Sequence, residues 1–557
     1  MRSPRSLTIL GSFIAVSMAA SLASAGGITP QPKAGAPLPG LTAAELALFE
    51  AGKVLYSTPL TVEQGLGPIF NKSGCFSCHS NPLGGTGAIS VTRFGNTDKG
   101  VFDPLEQLGG SLHQVATNSN TACAELIPDE EICNTIAIRM TNGSLAYGLV
   151  EAIPDKQILA NADPNDLDGD GVSGRAHMVE PFEFPGELHV GRFGWKAQVA
   201  TVLTFSADAA QNEMGLSNRF LDFDNAPNGN MELLAMCDTV SDPEDIQDSE
   251  GFDFVDRVTH FQRYLGVPPQ TPKSGMTGEV IFNTIGCAKC HVPSFTTSND
   301  RSLETAIRNT TIRPYSDFLL HNMGQLADGI VQGDASGEEI RTPALWDLRV
   351  RDPMLHNGLA AGGTFEDRVQ LAIQLHGPFG EGASTLVAFN ALDSVQKSQL
   401  YTFLDSLGRL EFDHDPNGHI QYVDFLEFKA CFGQTGITPD MPCAVSDIDQ
   451  NGTIDLTDFA AFELVYEGAN GDCDNDGESD LFELLMGTLT DEDLDGIPDR
   501  CATCVGDFNL SGSVDGADLA VLLGAWGTDT FDLNDDNIVN AADLAILLGA
   551  WGVCDPG

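Results

Sequence analysis

A chain of 557 residues with 79 acidic and 28 basic side chains has room for three or four domains. Its formal charge of -51 excludes nucleic acid as a partner, because phosphates would be repelled. The charge is uneven: residues 412–557 hold about 31 acidic side chains and two basic ones, which sets this stretch apart.

The N-terminus carries Arg2 and Arg5, an apolar run from Leu7 to Ala20, and Ala23-Ser24-Ala25 before Gly26. This pattern predicts a signal peptide over residues 1–25 and a periplasmic or extracellular protein. No later run is apolar for the ~18 residues a span needs, so no transmembrane segment is expected.

A helix over 43–52 leads toward Cys75-Phe76-Ser77-Cys78-His79, and a second over 276–284 leads toward Cys287-Ala288-Lys289-Cys290-His291. Each C-x-x-C-H string reads as an attachment site for haem c. Two thiols three positions apart can form thioethers to both vinyl groups, and the next imidazole can bind the iron from below. Zinc or a redox dithiol is the competing reading, but no second C-x-x-C or H-x-x-x-H stands nearby to complete a zinc site.

Nine other cysteines suit an oxidising compartment, with Cys123 to Cys133 and Cys431 to Cys443 as plausible bridges and Cys237 the most isolated. Cys501 and Cys504 are followed by Val505 and not His, so they make no third haem site. Asp166, Asp168, Asp170 and Gly171 form a candidate Ca²⁺ site, with an ordinary Asp-rich turn as the alternative.

The acidic stretch is a ladder of calcium loops, with oxygen ligands at positions 1, 3, 5 and 12 around a glycine at 6. Asp447, Asp449, Asn451, Gly452, Asp455 and Asp458 fit this fully, and Asp413, Asp415, Asn417, Gly418 and Asp424 make a weaker copy. Asp472, Asp474, Asp476 and Asp480, then Asp491, Asp493, Asp495 and Asp499, resemble thrombospondin type 3 repeats. A duplication with a 25-residue period closes the chain, and each copy ends in Leu-Gly-Ala-Trp-Gly. It resembles a dockerin module, which implies Ca²⁺ ligands at Asp507, Asn509, Ser511, Asp515 and Asp518 and at Asp532, Asn534, Asp536, Asn540 and Asp543. That resemblance also implies a cohesin-like partner. An acidic disordered tail is the competing reading.

The haem-bearing region contains Gly65-Leu66-Gly67-Pro68-Ile69-Phe70-Asn71, Tyr147-Gly148-Leu149-Val150-Glu151-Ala152-Ile153-Pro154 and Gly191-Arg192-Phe193-Gly194-Trp195-Lys196-Ala197. It goes on to Leu319-Leu320-His321-Asn322-Met323-Gly324 and Arg341-Thr342-Pro343-Ala344-Leu345-Trp346. In these strings, residues 41–410 resemble the di-haem oxidoreductases of the putative peroxidase family, relatives of bacterial di-haem cytochrome c peroxidases.

The resemblance implies His79 and His291 as proximal iron ligands and Glu213, in Glu213-Met214-Gly215, as the acid/base that moves a proton between peroxide oxygens. A glutamate capping a helix is the competing view. Trp195 is implied as an electron relay between haems, against a plain core tryptophan. His376 is implied as the distal ligand of the second haem, with Met354 as the alternative. His321 and His356 read as hydrogen-bonded structural residues, and His189 as a surface residue, with a displaceable ligand on the first haem as the alternative.

The expected fold is mainly α: two cytochrome c-like haem domains with long loops, followed by small α calcium-binding modules of EF-hand and dockerin type. The boundaries are a signal peptide 1–25, haem domains 26–270 and 271–411, an EF-hand-like pair 412–470, thrombospondin type 3-like repeats 471–504 and a dockerin-like pair 505–557. The expected function is a di-haem peroxidase with two covalent haem c groups and Ca²⁺, fed by a small cytochrome or cupredoxin. A non-catalytic electron carrier, or a di-haem oxidase of a protein or organic substrate, is the alternative.

Overall fold

Six helices set the positions of the two C-x-x-C-H motifs: α1 (Ala43–Tyr56), α2 (Val202–Met214), α3 (Phe254–Arg263), α4 (Thr277–Thr284), α5 (Phe365–Leu375) and α6 (Ser394–Asp405). The computed structural model describes residues 28–553 apart from 119, 474–475, 493, 495, 500–504, 509–512, 529 and 535–537. The expected signal peptide, Asp474, Asp493, Asp495, Asn509, Ser511, Asp536, Cys501, Cys504 and Cys554 lie outside the described residues.

Thr42 starts α1 with a capping box, its side chain accepting the Glu45 N–H while the Glu45 carboxylate accepts the Thr42 N–H. The same device starts α3, α5 and α6, from Asp253, Thr364 and Asp393. The helix ahead of each motif then crosses a later helix at a glycine. A Cβ on Gly52 of α1 would stand 2.1 Å from the Arg257 carbonyl of α3, and one on Gly278 of α4 would stand 2.0 Å from the Gln399 carbonyl of α6. Aromatic pairs fill the space beside each crossing: Phe49 lies 5.1 Å from Phe261, and Phe282 lies 5.4 Å from Phe403. Both halves therefore build the same helix pair behind their motif.

Helix accounts for 34% and strand for 12% of the structure, so α structure prevails as expected. Sequence reasoning had loops where an antiparallel sheet of four strands stands: β1 (Ser90–Asp98), β2 (Val101–Asp103), β3 (Leu112–His113) and β4 (Thr135–Met140). Central β1 pairs β4 on one edge, in the register Val91 to Arg139 and Arg93 to Ala137, and β2 and β3 on the other. The cause is plain two-residue alternation. Ile136 and Ile138 point outward, 54% and 51% exposed, while Ala137 and Arg139 are buried.

Cys123 is bridged to Cys237, not to Cys133, which stays free and buried; the near neighbour in sequence is not the near neighbour in space. Cys431 does pair with Cys443, and Cys473 is disulfide-bonded too.

Beyond residue 411 come α7 (Tyr422–Cys431), α8 (Leu456–Val465), α9 (Asp480–Met486), α10 (Gly516–Gly524) and α11 (Ala541–Gly549). Phe412, Phe425, Phe428, Phe459 and Phe462 share one core with Leu481, Leu484 and Leu485. Val514, Leu522, Val539 and Leu547 form a separate one. The first of these units is stitched to the preceding region. Asp440 accepts the Thr277 N–H at the start of α4 at 3.0 Å, and Gln450 Nε2 donates to the Ser274 carbonyl at 3.2 Å. Among the described residues, no helix is long and apolar enough to cross a membrane.

Candidate functional site: two cavities with one shared wall

Each C-x-x-C-H string closes on itself in one 3₁₀ turn, in which the N–H groups of Cys78 and His79 both donate to the Cys75 carbonyl. Cys290 and His291 repeat this on Cys287. The turn presents both thiols and the imidazole to one cavity: Cys75, Cys78 and His79 line the first, and Cys287, Cys290 and His291 line the second. The cavities are nearly equal, about 170 and 190 Å³, and mostly apolar. All four thiols are free of disulfides.

The imidazoles are oriented alike. His79 Nδ1 lies 3.2 Å from the Gly85 carbonyl and His291 Nδ1 lies 2.9 Å from the Tyr315 carbonyl. A carbonyl only accepts, so Nδ1 carries the hydrogen and Nε2 keeps its lone pair for a metal. Burial lowers both pKa values to about 4, which keeps the rings neutral, the form that ligates iron. Free thiols, a neutral imidazole with an available Nε2 and an apolar chamber together fit a covalently held haem in each cavity.

The rest of the two linings differs. In the first cavity, α2 supplies Asp208, Asn212, Glu213 and Met214, and the inner face of the sheet supplies Val91, Arg93 and Arg139. Glu213 Oε2 accepts from Asn71 Nδ2 at 2.7 Å. Although Glu213 remains partly accessible through the cavity, desolvation raises its pKa, opposed by Arg93 and by the Asn71 hydrogen bond. Asp208 is raised for the same first reason. Among the described residues, no histidine other than His79 lines this chamber. His189 stands elsewhere, 3.7 Å from Asp155 in a polar cleft.

In the second cavity His376, just past α5, faces the same space as His291. Its Nδ1 donates to the Ala372 carbonyl at 2.7 Å, which frees Nε2 as in the two motif histidines. Met354 also lines this cavity. His321 is hydrogen-bonded as expected, between Asp317 at 2.8 Å and Glu381 at 2.6 Å. His356 is not: its buried Nε2 has no hydrogen-bond partner, and the ring faces the second cavity.

Trp195 lines both cavities. Its Nε1 donates to the Met140 carbonyl at 2.8 Å, and its ring meets His356 edge-on at 5.9 Å. The neighbouring sequence holds it there. Arg192 donates to the Ile153 carbonyl at 2.7 Å, Lys196 is sealed against Asp328 at 3.1 Å, and the Arg341 N–H donates to the Trp195 carbonyl at 2.8 Å.

Sequence reasoning did not single out Arg93, Asp208, Gln198 or Gln262, all of which line the first cavity. The one available signal was Asp208 itself, an acid between alanines on a helix that buries its neighbour Ala207.

Several acidic loops fold back on their own carboxylates. Carboxylate oxygens of Asp413, Asp415 and Asp424 lie within 4.8 Å of one another, as do those of Asp447, Asp449 and Asp458. In four loops the carboxylate at position 12 accepts the N–H of position 2: Asp424 from His414, Asp458 from Ile448, Asp518 from Phe508 and Asp543 from Leu533, at 2.8–2.9 Å. The shorter loops close similarly, Asp480 on the Cys473 N–H and Asp499 on the Glu492 N–H. Between the haem motifs, Asp163 joins Asp166 and Asp168, whereas Asp170 stands in an ion pair with Lys289 at 3.0 Å.

Residues 117–407, just over half of the chain, match the family described as "Di-haem oxidoreductase, putative peroxidase". The match contains the second C-x-x-C-H motif and begins after the first. Two solved structures are similar to the chain. Kuenenia stuttgartiensis hydrazine synthase, pressurized with xenon, is 13% identical, covering 73% of this chain and all of that one at a TM-score of 0.28. A MauG-like protein associated with microbial copper homeostasis is 16% identical, covering 68% of this chain and 93% of that one at a TM-score of 0.30. No curated protein matches the chain.

Proposed function

The chain belongs to the di-haem oxidoreductase, putative peroxidase family, and on that premise we propose that it is an exported enzyme reducing hydrogen peroxide to water. Two electrons and two protons are consumed per peroxide, and a small cytochrome or cupredoxin supplies the electrons. The observation that carries this reading is the asymmetric pair of chambers with Trp195 in the wall of both.

Haem, when bound, supplies the redox couple at each cavity and, in the first, the position at which peroxide is reduced. The chain's own residues do the rest. His376 and His291 both line the second cavity, and two imidazoles there would suit it to carrying electrons. The first cavity has carboxyl groups in its lining and, among the described residues, no second histidine. Glu213, held by Asn71 and raised by desolvation, takes a proton from one peroxide oxygen and returns it to the departing one. Trp195, with its indole N–H fixed on Met140, fills the gap between the chambers as the electron relay.

Electron paramagnetic resonance of the oxidised and half-reduced protein, with peroxide turnover from a reduced small cytochrome, tests this. Two haem equivalents, one high-spin signal and turnover are expected. Two low-spin haems without turnover would instead make the chain an electron carrier. Replacing Trp195 with Phe should keep both haems and slow electron transfer between them.

The acidic segment is proposed to bind Ca²⁺ in its position-12 loops, which couples ion binding to folding. Chelation should then lower the melting temperature of residues 412–553 and leave the haem absorbance in place.

A further inference from the structure

Six arginine and lysine side chains are buried among the described residues: Arg139, Arg192, Lys196, Arg257, Arg341 and Arg351. Four of them have carboxylate partners, Asp328 for Arg139 and Lys196, Asp155 for Arg192, and Asp248 with Glu250 for Arg257. That is the rule for buried charge, since an unpaired one is costly. Arg341 and Arg351, 5% and 9% exposed, break the rule: neither forms an ion pair among the described residues.

The two exceptions stand together. Both line the second cavity at the end it shares with Trp195, and both line the small void beside it. The Arg351 guanidinium lies 5.5 Å from the Trp195 ring centre, and its Nη2 is buried with no hydrogen-bond partner. Arg341 uses Nε on the Gly194 carbonyl at 2.6 Å and Nη1 on the Thr342 carbonyl at 3.0 Å, both neutral acceptors, and the Asp317 carboxylate whose charge it feels stays beyond ion-pair distance. Burial lowers both pKa values to about 10. Asp347, the carboxyl whose charge Arg351 feels, stays beyond ion-pair distance, with its own Oδ2 unpartnered.

We propose that Arg341 and Arg351 form a dianion seat, and that the two propionate groups of the haem held by Cys287, Cys290 and His291 fill it. Two carboxylates against two guanidiniums would give this pair the carboxylate contact that the other four buried cations have among the described residues. The planar fork of arginine suits a carboxylate bidentately, and a low-dielectric wall strengthens the pairing. With haem bound, Arg341 and Arg351 would hold its propionates at the Trp195 end of the cavity. Arg341 and Arg351 are positioning residues here.

This inference rests on the di-haem reading, and the two fail differently. If the wild-type protein carries fewer than two haem equivalents by pyridine haemochrome, the underlying reading fails before any variant is made. With two equivalents present, R341Q and R351Q are compared with wild type by potentiometric titration and resonance Raman spectroscopy.

A cation beside a haem disfavours its ferric form. Each glutamine variant should therefore lower the midpoint of the His291 haem, leave that of the His79 haem unchanged, and move the propionate-bending bands. Wild-type midpoints and bands in both variants, or a shift confined to the His79 haem, would overturn the seat. Should a glutamine variant lose its haem, R351K decides: it keeps the charge without the fork, so it must retain haem and still displace those bands. Unchanged bands in R351K would sink the proposal.

Discussion

The two motif-bearing chambers share a turn, a helix crossing and an oriented imidazole, yet the rest of their linings differs in chemistry. Glu213 and Asp208 line the chamber of His79, and His376 lines that of His291. A duplicated frame thus carries carboxyl groups in one chamber and a second histidine in the other, and the proposed division of labour rests on those few side chains, on α2 and after α5, instead of on the frame that the halves have in common.

The largest effect should come from erasing one half of the pair. Replacing Cys287 and Cys290 together with Ser should halve the haem content, and the pyridine haemochrome yield measures it; an unchanged yield would refute covalent attachment at the second motif. Next comes Glu213→Gln, which keeps the size and the Asn71 contact but cannot exchange the proton. Peroxide turnover should drop by about 10²–10⁴-fold, with the spectrum of the second haem unaltered. His376→Ala would make the second chamber resemble the first. It should convert a low-spin signal to high-spin and remove most turnover by stalling electron supply, so a preserved low-spin spectrum would hand the ligand role to Met354.

The smallest effect concerns stability and only the first half. Glu125, 5% exposed, is raised to about 7 by burial, although it accepts the N–H groups of Gln114 and Asn228. A carboxyl whose folded pKa exceeds its unfolded value favours the folded state least when ionised. Stability should therefore fall as pH rises from about 4 to about 7, by on the order of 2–3 kcal/mol. In Glu125→Gln that slope should flatten, as chemical denaturation at several pH values would show.

The C-x-x-C-H strings, the helices ahead of them and the position-12 loops were legible because each rests on local spacing. The helix predicted over 43–52 runs to Tyr56, and the one over 276–284 starts at Thr277. The sheet was missed because β1 and β4 are far apart in sequence, and only their pairing turns Arg93 and Arg139 into cavity wall. Cys123 found Cys237 across 114 residues for the same reason, since spatial neighbours are not set by sequence distance. The buried, unpaired character of Arg351 is a fact of three-dimensional accounting that no window of residues contains.

Charge suggests cutting the chain at residue 411, but α4 depends on what lies beyond. The first N–H of α4 and the Thr277 hydroxyl both rest on Asp440, and Gln450 Nε2 donates to the Ser274 carbonyl at 3.2 Å. A protease acting at that acidic boundary would fray the helix that delivers Cys287 and His291. A shortened protein meant to mature with both cofactors should therefore extend through Leu489, the last residue of the shared phenylalanine core.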